Sequence, residues 1–214
     1  NGVKNLVKIC KNKKIYLIHF STDYVFKGNS QKYKEKDKTE PINYYGKTKE
    51  ISEQIIMGNL KSYVIFRLSW LMGNYSNNFL KKIVSILKNN KELHMVNDQV
   101  GNPTITFFVS KIIKMSCENF YYKKNIFNGI FHLANEPYLS KLEFTEYVYR
   151  QLKKLKLTEN NCKIIGVPSR KFKSKAKRPK NSSLDINKIK SKIKNTNFSW
   201  KLTLNKILKN INDK

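Results

Sequence analysis

Two short apolar runs, KIYLIHF at 14–20 and SYVIFRLSW at 62–70, flank a stretch of helical periodicity, and this alternation constrains the fold more than any other feature. A strand with no regular polar position has to be covered on both faces, the condition of a parallel sheet with helices packed on either side. Between the runs, the segment from Tyr45 puts Ile51, Ile55 and Ile56 on one helical face and ends near Gly58. Ahead of the first run, Val3, Leu6, Val7 and Cys10 recur at helical spacing. The first seventy residues therefore read helix, strand, helix, strand, the order of a parallel α/β sheet.

Further on, NNFLKKIVSILKN predicts a helix with Phe79, Ile83, Ile86 and Leu87 inward, and ELHMVNDQVGNPT a short strand and turn. Pro103 and Thr104 are expected to open a helix carrying Ile105, Phe108, Val109, Ile112 and Ile113. GIFHLAN reads as another buried strand. Ser140 and Glu143 form a capping box before Phe144, Val148 and Leu152, and Leu204, Ile207, Leu208 and Ile211 mark a closing helix. An opening helix with nothing before it to cover its apolar face leads us to expect a C-terminal portion of a longer protein.

The net charge of +28 would ordinarily suggest nucleic acid as a partner. Its make-up argues otherwise: 39 Lys against 4 Arg, with 26 Asn and 2 Ala, is the signature of A/T-rich codons. Selection for phosphate contacts would favour the bidentate guanidinium fork of Arg. No nucleic-acid partner is therefore expected. Cys10, Cys117 and Cys162 are odd in number and far apart, which fits a reducing cytoplasm and gives no metal-ligand spacing. No apolar stretch approaches the ~20 residues of a membrane span, so no membrane partner is expected either.

The chemistry-bearing residues sit where open α/β sheets place ligands, at the carboxyl ends of strands. Ser21 and Thr22 close the first apolar run, in STDYVFKG. Tyr45 and Lys49, spaced i and i+4, share one helical face a turn apart. A phenol ordinarily titrates at about 10, too high for ready exchange near neutrality, and a lysine cation close by favours its ionised form. Hydroxyl, phenol and ammonium converging on one carbonyl oxygen would suit protonation of an alkoxide as hydride reaches its carbon. Alone, a Tyr and a Lys four apart in so lysine-rich a chain more often mark a solvated helix face.

The order STDYVFKG, EPINYYGKTKEISE, VIFRLSWLMG resembles the extended short-chain dehydrogenase/reductase superfamily. NNF at 77–79, NDQVGNPT at 97–104, GIFHLAN at 129–135 and AKRPKNSSLDINKI at 176–189 narrow the resemblance, across nearly the whole chain, to the dTDP-4-dehydrorhamnose reductase family. That resemblance implies a partial Rossmann-type parallel sheet lacking its N-terminal strands and glycine-rich fingerprint, plus a smaller C-terminal substrate-binding α/β domain. Residues 1–75 would be the later part of the NAD(P)-binding domain and 76–214 mainly the substrate domain, with about 97–135 returning to the main sheet.

The resemblance further implies reduction at C4 of a dTDP-4-keto sugar by NADPH or NADH, in nucleotide-sugar and surface polysaccharide synthesis, by a cytoplasmic enzyme that could form a homodimer. Tyr45 would protonate the C4 oxygen. Lys49 would assist Tyr45 and hold the nicotinamide ribose, and Thr22 would share the substrate oxygen. Asp23 and Trp70 would meet the sugar, Arg178 the diphosphate, and the Phe20 backbone the cofactor. Related dehydratases carry a glutamate after the Thr-Asp pair where this chain has Tyr24, which favours reduction over dehydration. Some relatives use Mg²⁺ at a dimer interface, but no acidic cluster in this sequence argues for it. The competing readings are a non-catalytic dinucleotide-binding subunit similar to the regulatory subunit of methionine adenosyltransferase, or a related keto-sugar reductase.

The remaining candidates read as structural. His19, His94 and His132 lie in or beside apolar strands, Cys10 and Cys117 fall on helices as small core residues, Asp98 and Gln99 fix a turn, and Arg170 to Lys180 forms a basic solvated loop.

Overall fold

The computed structural model describes residues 2–75, 77–124, 127–193 and 196–212. In chain order the elements are α1 (Gly2–Lys13), β1 (Leu17–Thr22), α2 (Tyr44–Asn59), β2 (Tyr63–Leu68), β3 (Leu71–Met72), α3 (Phe79–Asn89), β4 (Glu92–Val96) and β5 (Val100–Gly101). There follow β6 (Thr104–Ile105), α4 (Thr106–Tyr121), β7 (Gly129–His132), β8 (Leu139–Ser140), α5 (Lys141–Lys154), β9 (Lys163–Val167), α6 (Asn187–Lys192) and α7 (Trp200–Asn212). The chain is an α/β protein whose main sheet has the order β1-β2-β7, all parallel.

The unbroken hydrophobicity of β2 has its expected consequence: Val64, Ile65 and Phe66 are fully buried in the centre of the sheet. The register sets Thr22 opposite Leu68, Ser21 opposite Arg67, and Arg67 opposite His132, so the carboxyl ends of three strands lie level. On one side, Val7 and Cys10 of α1 pack with Ile56, Leu60 and Ile65. On the other, a larger core joins Phe66 and Phe131 to Leu80, Ile83, Leu87, Phe144, Val148 and Trp200. The parallel pair β4 and β9, flanked by α5, lies beyond it.

Several details depart from expectation, each for a local reason. Leu6 is exposed, so α1 faces inward through Val7 and Cys10. Ile51 also points outward, because the inner face of α2 carries two buried acids, Glu50 and Glu53, beside Ile56. In α3 the buried stripe is Leu80, Ile83, Val84 and Leu87, with Phe79 and Ile86 only half-buried, and the Asn78 side chain caps it by accepting from Lys81 N at 3.2 Å. Helix α4 starts at Thr106, not Pro103. The Thr104 N–H goes to the Trp70 carbonyl at 3.1 Å and the Ile105 N–H to Asn135 Oδ1 at 2.9 Å, which holds those residues extended against β3. Strand β9 carried no clear signal in the sequence. Cys117 is exposed, contrary to the core position expected for it. The Ser140–Glu143 capping box is present in both its bonds.

Candidate active site

The end of β1 and the start of α2 meet at one edge of the sheet. Asn43 caps α2 by accepting from Gly46 N at 2.8 Å. A side chain at Gly46 would come within 2.1 Å of the Tyr24 carbonyl, so glycine there lets the helix press against the turn that follows β1. That approach brings the Tyr24 and Tyr45 rings to 6.1 Å, edge to face. Tyr45 is 51% exposed. One turn on, Lys49 Nζ donates to the Phe20 carbonyl at 3.0 Å, which ties the ammonium to the strand end. Thr22 is buried; its Oγ1 donates to Asp23 Oδ1 at 3.0 Å and accepts from Tyr24 N at 3.2 Å. Thr22, Tyr45, Lys49 and Phe20 thus share one edge. Ser21, the other hydroxyl of the pair, is buried and its Oγ has no hydrogen-bond partner among the described residues.

Asp23, expected to meet the sugar, is 2% exposed and acts in the fold as a clasp. Besides Thr22, Ser69 Oγ donates to Oδ2 at 2.9 Å and Ser182 Oγ to the same oxygen at 2.5 Å. One carboxylate therefore joins the ends of β1 and β2 to the segment before α6. Burial pushes its carboxyl up to about 6 against these hydroxyl donors, which pull the other way. Ser69 Oγ also accepts from Asn102 N at 3.2 Å, and Asn102 spans to the Asn135 carbonyl at 3.0 Å and to Leu184 N at 2.9 Å. Ser182 was not singled out in the sequence, where nothing distinguishes it from any other loop serine.

Trp70, immediately after this clasp, has φ of +34°, an uncommon conformation for a bulky residue. Its indole lies over Gly101, where a side chain would come within 2.6 Å of the ring. Behind this edge, Arg67 makes a two-pronged pair with Glu53, Nε to Oε1 at 2.9 Å and Nη2 to Oε2 at 2.7 Å, with its guanidinium 4.9 Å from the Phe26 ring centroid. His132 beside it is fully buried; burial, then the Arg67 charge, hold its imidazole down at about 3. His132 is thus a structural residue, as expected of it.

The basic segment is no free loop. The Lys180 carbonyl accepts from Val100 N at 2.7 Å, and Asn43 Nδ2 donates to the Lys177 carbonyl at 2.9 Å. Gly28, at φ +81°, lies so close under Pro179 that an added side chain would come within 2.2 Å of the ring. Together these segments wall a cleft of about 670 Å³ that includes Lys141, Arg170, Lys173, Lys177, Arg178 and Lys180. Arg178 is exposed at this wall, near enough to Tyr24 and Lys141 to act on both electrostatically. Asp98 fixes its turn by accepting from Ser169 N at 2.8 Å and Ser169 Oγ at 2.9 Å. Gln99 does more than hold a turn: its Oε1 accepts from Lys141 Nζ at 2.7 Å, and Lys141 went unnoticed in a sequence where lysine is everywhere. Among the described residues no group of three or more His, Cys, Asp or Glu side chains is placed to hold a metal ion, and no helix is long and apolar enough to cross a membrane.

Residues 1–212 match the family described as the RmlD substrate binding domain. A dTDP-4-dehydrorhamnose reductase of Aggregatibacter actinomycetemcomitans is 32% identical over 96% of this chain and 70% of its own length. Among solved structures, a dTDP-4-dehydrorhamnose reductase from Clostridium acetobutylicum superposes with a TM-score of 0.85 at 29% identity, over 97% of this chain and 70% of that one. Another from Bacillus anthracis, in complex with NADP, gives a TM-score of 0.82 at 28% identity, over 96% of this chain and 69% of that one.

Proposed function

The chain belongs to the family of the RmlD substrate binding domain, and from that premise we propose that it acts as a dTDP-4-dehydrorhamnose reductase, with Tyr45, Lys49 and Thr22 as the groups that deliver a proton to the C4 oxygen of the sugar. The observation that carries this assignment is the single edge on which an exposed phenol, a strand-anchored ammonium and a fixed hydroxyl stand together.

Tyr45, Lys49 and the Phe20 carbonyl fit the nicotinamide end of NADPH or NADH: the ammonium is held by one bond to the strand end and keeps donors for ribose hydroxyls. That cofactor, when bound, supplies the hydride to C4. The work of the protein is to place and protonate. The Tyr45 O–H gives its proton to the C4 oxygen as negative charge develops there, and the neighbouring Lys49 cation stabilises the phenolate left behind. Thr22, fixed by Asp23 and Tyr24, would set its oxygen beside the same atom, with Asp23 next to it at the sugar. Trp70 would pack on the sugar and Arg178 would meet the diphosphate.

Tyr24 supports reduction without dehydration. Burial, then the Asp23 charge, push its phenol up to about 12, so it offers no second acid or base near neutrality. The test is oxidation of NADPH by the protein with dTDP-4-dehydro-L-rhamnose. Tyr45→Phe should lower kcat by roughly 10²-fold or more with the far-UV spectrum unchanged. A folded Tyr45→Phe protein with full turnover refutes the assignment.

A further inference from the structure

We propose that Lys141 is a substrate-binding residue, gripping the phosphate attached to the sugar at the point where the basic cleft meets Trp70. The proposal deepens the reductase reading and rests on it.

Lys141 is fixed at both ends by one neighbour. Its backbone N–H donates to the Gln99 carbonyl at 3.0 Å, and its Nζ donates to Gln99 Oε1 at 2.7 Å, with Gln99 itself buried. The ammonium sits 5.8 Å from the Trp70 ring centroid and 5.6 Å from that of Phe79. Gln99, Trp70 and Phe79 carry no charge. The charges that reach it are Arg178, which repels, and Asp23, which attracts but is committed to three hydroxyls. Among the described residues no carboxylate forms an ion pair with Lys141, whereas Lys27 at the rim of the same cleft pairs with Glu40 at 2.8 Å. Among the described residues no acidic side chain lines the cleft.

A cation withdrawn from water, beside another cation and without a counter-ion, is an unfavourable arrangement unless a ligand completes it. Burial, then Arg178, hold the Lys141 ammonium down at about 8, the mark of a site short of negative charge. A diphosphate supplies that charge, and the two protons of Nζ not engaged by Gln99 are available to it. Between Trp70 and Arg178, Lys141 stands at the sugar end of the diphosphate.

The experiment is calorimetric titration of the protein with dTDP and with thymidine, for wild type, Lys141→Met and Lys141→Arg. Lys141→Met should weaken dTDP binding about tenfold or more and leave thymidine binding as it was, while Lys141→Arg, which keeps the charge, should retain most of the affinity. Above about pH 8, binding of dTDP to wild type should take up protons, seen as a dependence of heat on buffer ionisation enthalpy, and Lys141→Met should abolish that uptake. In steady state the loss should fall on KM for the sugar nucleotide more than on kcat. Equal dTDP affinity in wild type and a folded Lys141→Met protein overturns the role of Lys141 alone. Absence of dTDP binding by wild type overturns the nucleotide-sugar reading with it.

Discussion

Removing either partner of the buried Arg67–Glu53 pair should destabilise the protein severely, and removing both should not. The two side chains are 3% and 2% exposed and joined by bonds of 2.9 and 2.7 Å, so Glu53→Leu would strand a guanidinium in the core with the Glu35 carbonyl at 3.3 Å, His132 Nε2 at 3.5 Å and the Phe26 ring, none of them a counter-charge. Breaking a buried pair from one side costs about 3–5 kcal/mol, because the charge left behind stays desolvated. At about 2–4 °C per kcal/mol for a chain of this size, the midpoint should fall by roughly 6–20 °C. Arg67→Met should behave alike, and the double variant should lie well above the sum of the two losses. Urea denaturation followed by circular dichroism gives all four corners of the cycle. Singles that each lose less than about 1 kcal/mol, or strict additivity, would refute the reasoning. The pair also presses α2 onto β2 one turn beyond Lys49, so any folded single variant should lose kcat as the Tyr45 edge drifts from its geometry.

Three further outcomes are expected. Gly28→Ala, forced into both a left-handed backbone and the Pro179 ring, should shift the basic segment and raise KM for the sugar nucleotide, measurable by initial rates. His132, held at about 3 in the fold against an ordinary 6.5, should make stability fall as pH drops from about 6.5 towards 3, because only the unfolded chain takes up the proton; urea midpoints across that range should flatten in His132→Gln. Asp23 works in the opposite sense. With its carboxyl raised to about 6, the unfolded chain releases the proton first, so stability from this group declines as pH rises from about 4 to 6, by an order of about 3 kcal/mol, and Asp23→Asn should remove that decline from the same titration.

The sequence revealed what depends on local pattern. Strands β1 and β2, the Ser140–Glu143 box and the spacing of Tyr45 and Lys49 follow from neighbours within a few positions, and the structure has them. Contacts made across the fold left no such mark. Glu53 turned the inner face of α2 polar and sent Ile51 to solvent because its partner Arg67 lies on a strand fourteen residues away. Thr104 stayed out of α4 because the Trp70 carbonyl claims its N–H, and Asp23 turned inward because Ser69 and Ser182 come to meet it. In each case a long-range polar partner outweighed the local preference.

The Asp23 clasp also has a bearing on the order in which the protein becomes competent. Tyr45 and Lys49 need only the first third of the chain, but Thr22 is set by a carboxylate whose shortest bond reaches across 159 positions to Ser182. During synthesis the helix and strands that carry Thr22, Tyr45 and Lys49 emerge long before the serine that completes the clasp. Closing so distant a contact is slow relative to local folding. A ribosome-bound chain ending before Ser182 would therefore carry the Tyr45 phenol and the Lys49 ammonium without the clasp that fixes the hydroxyl beside them.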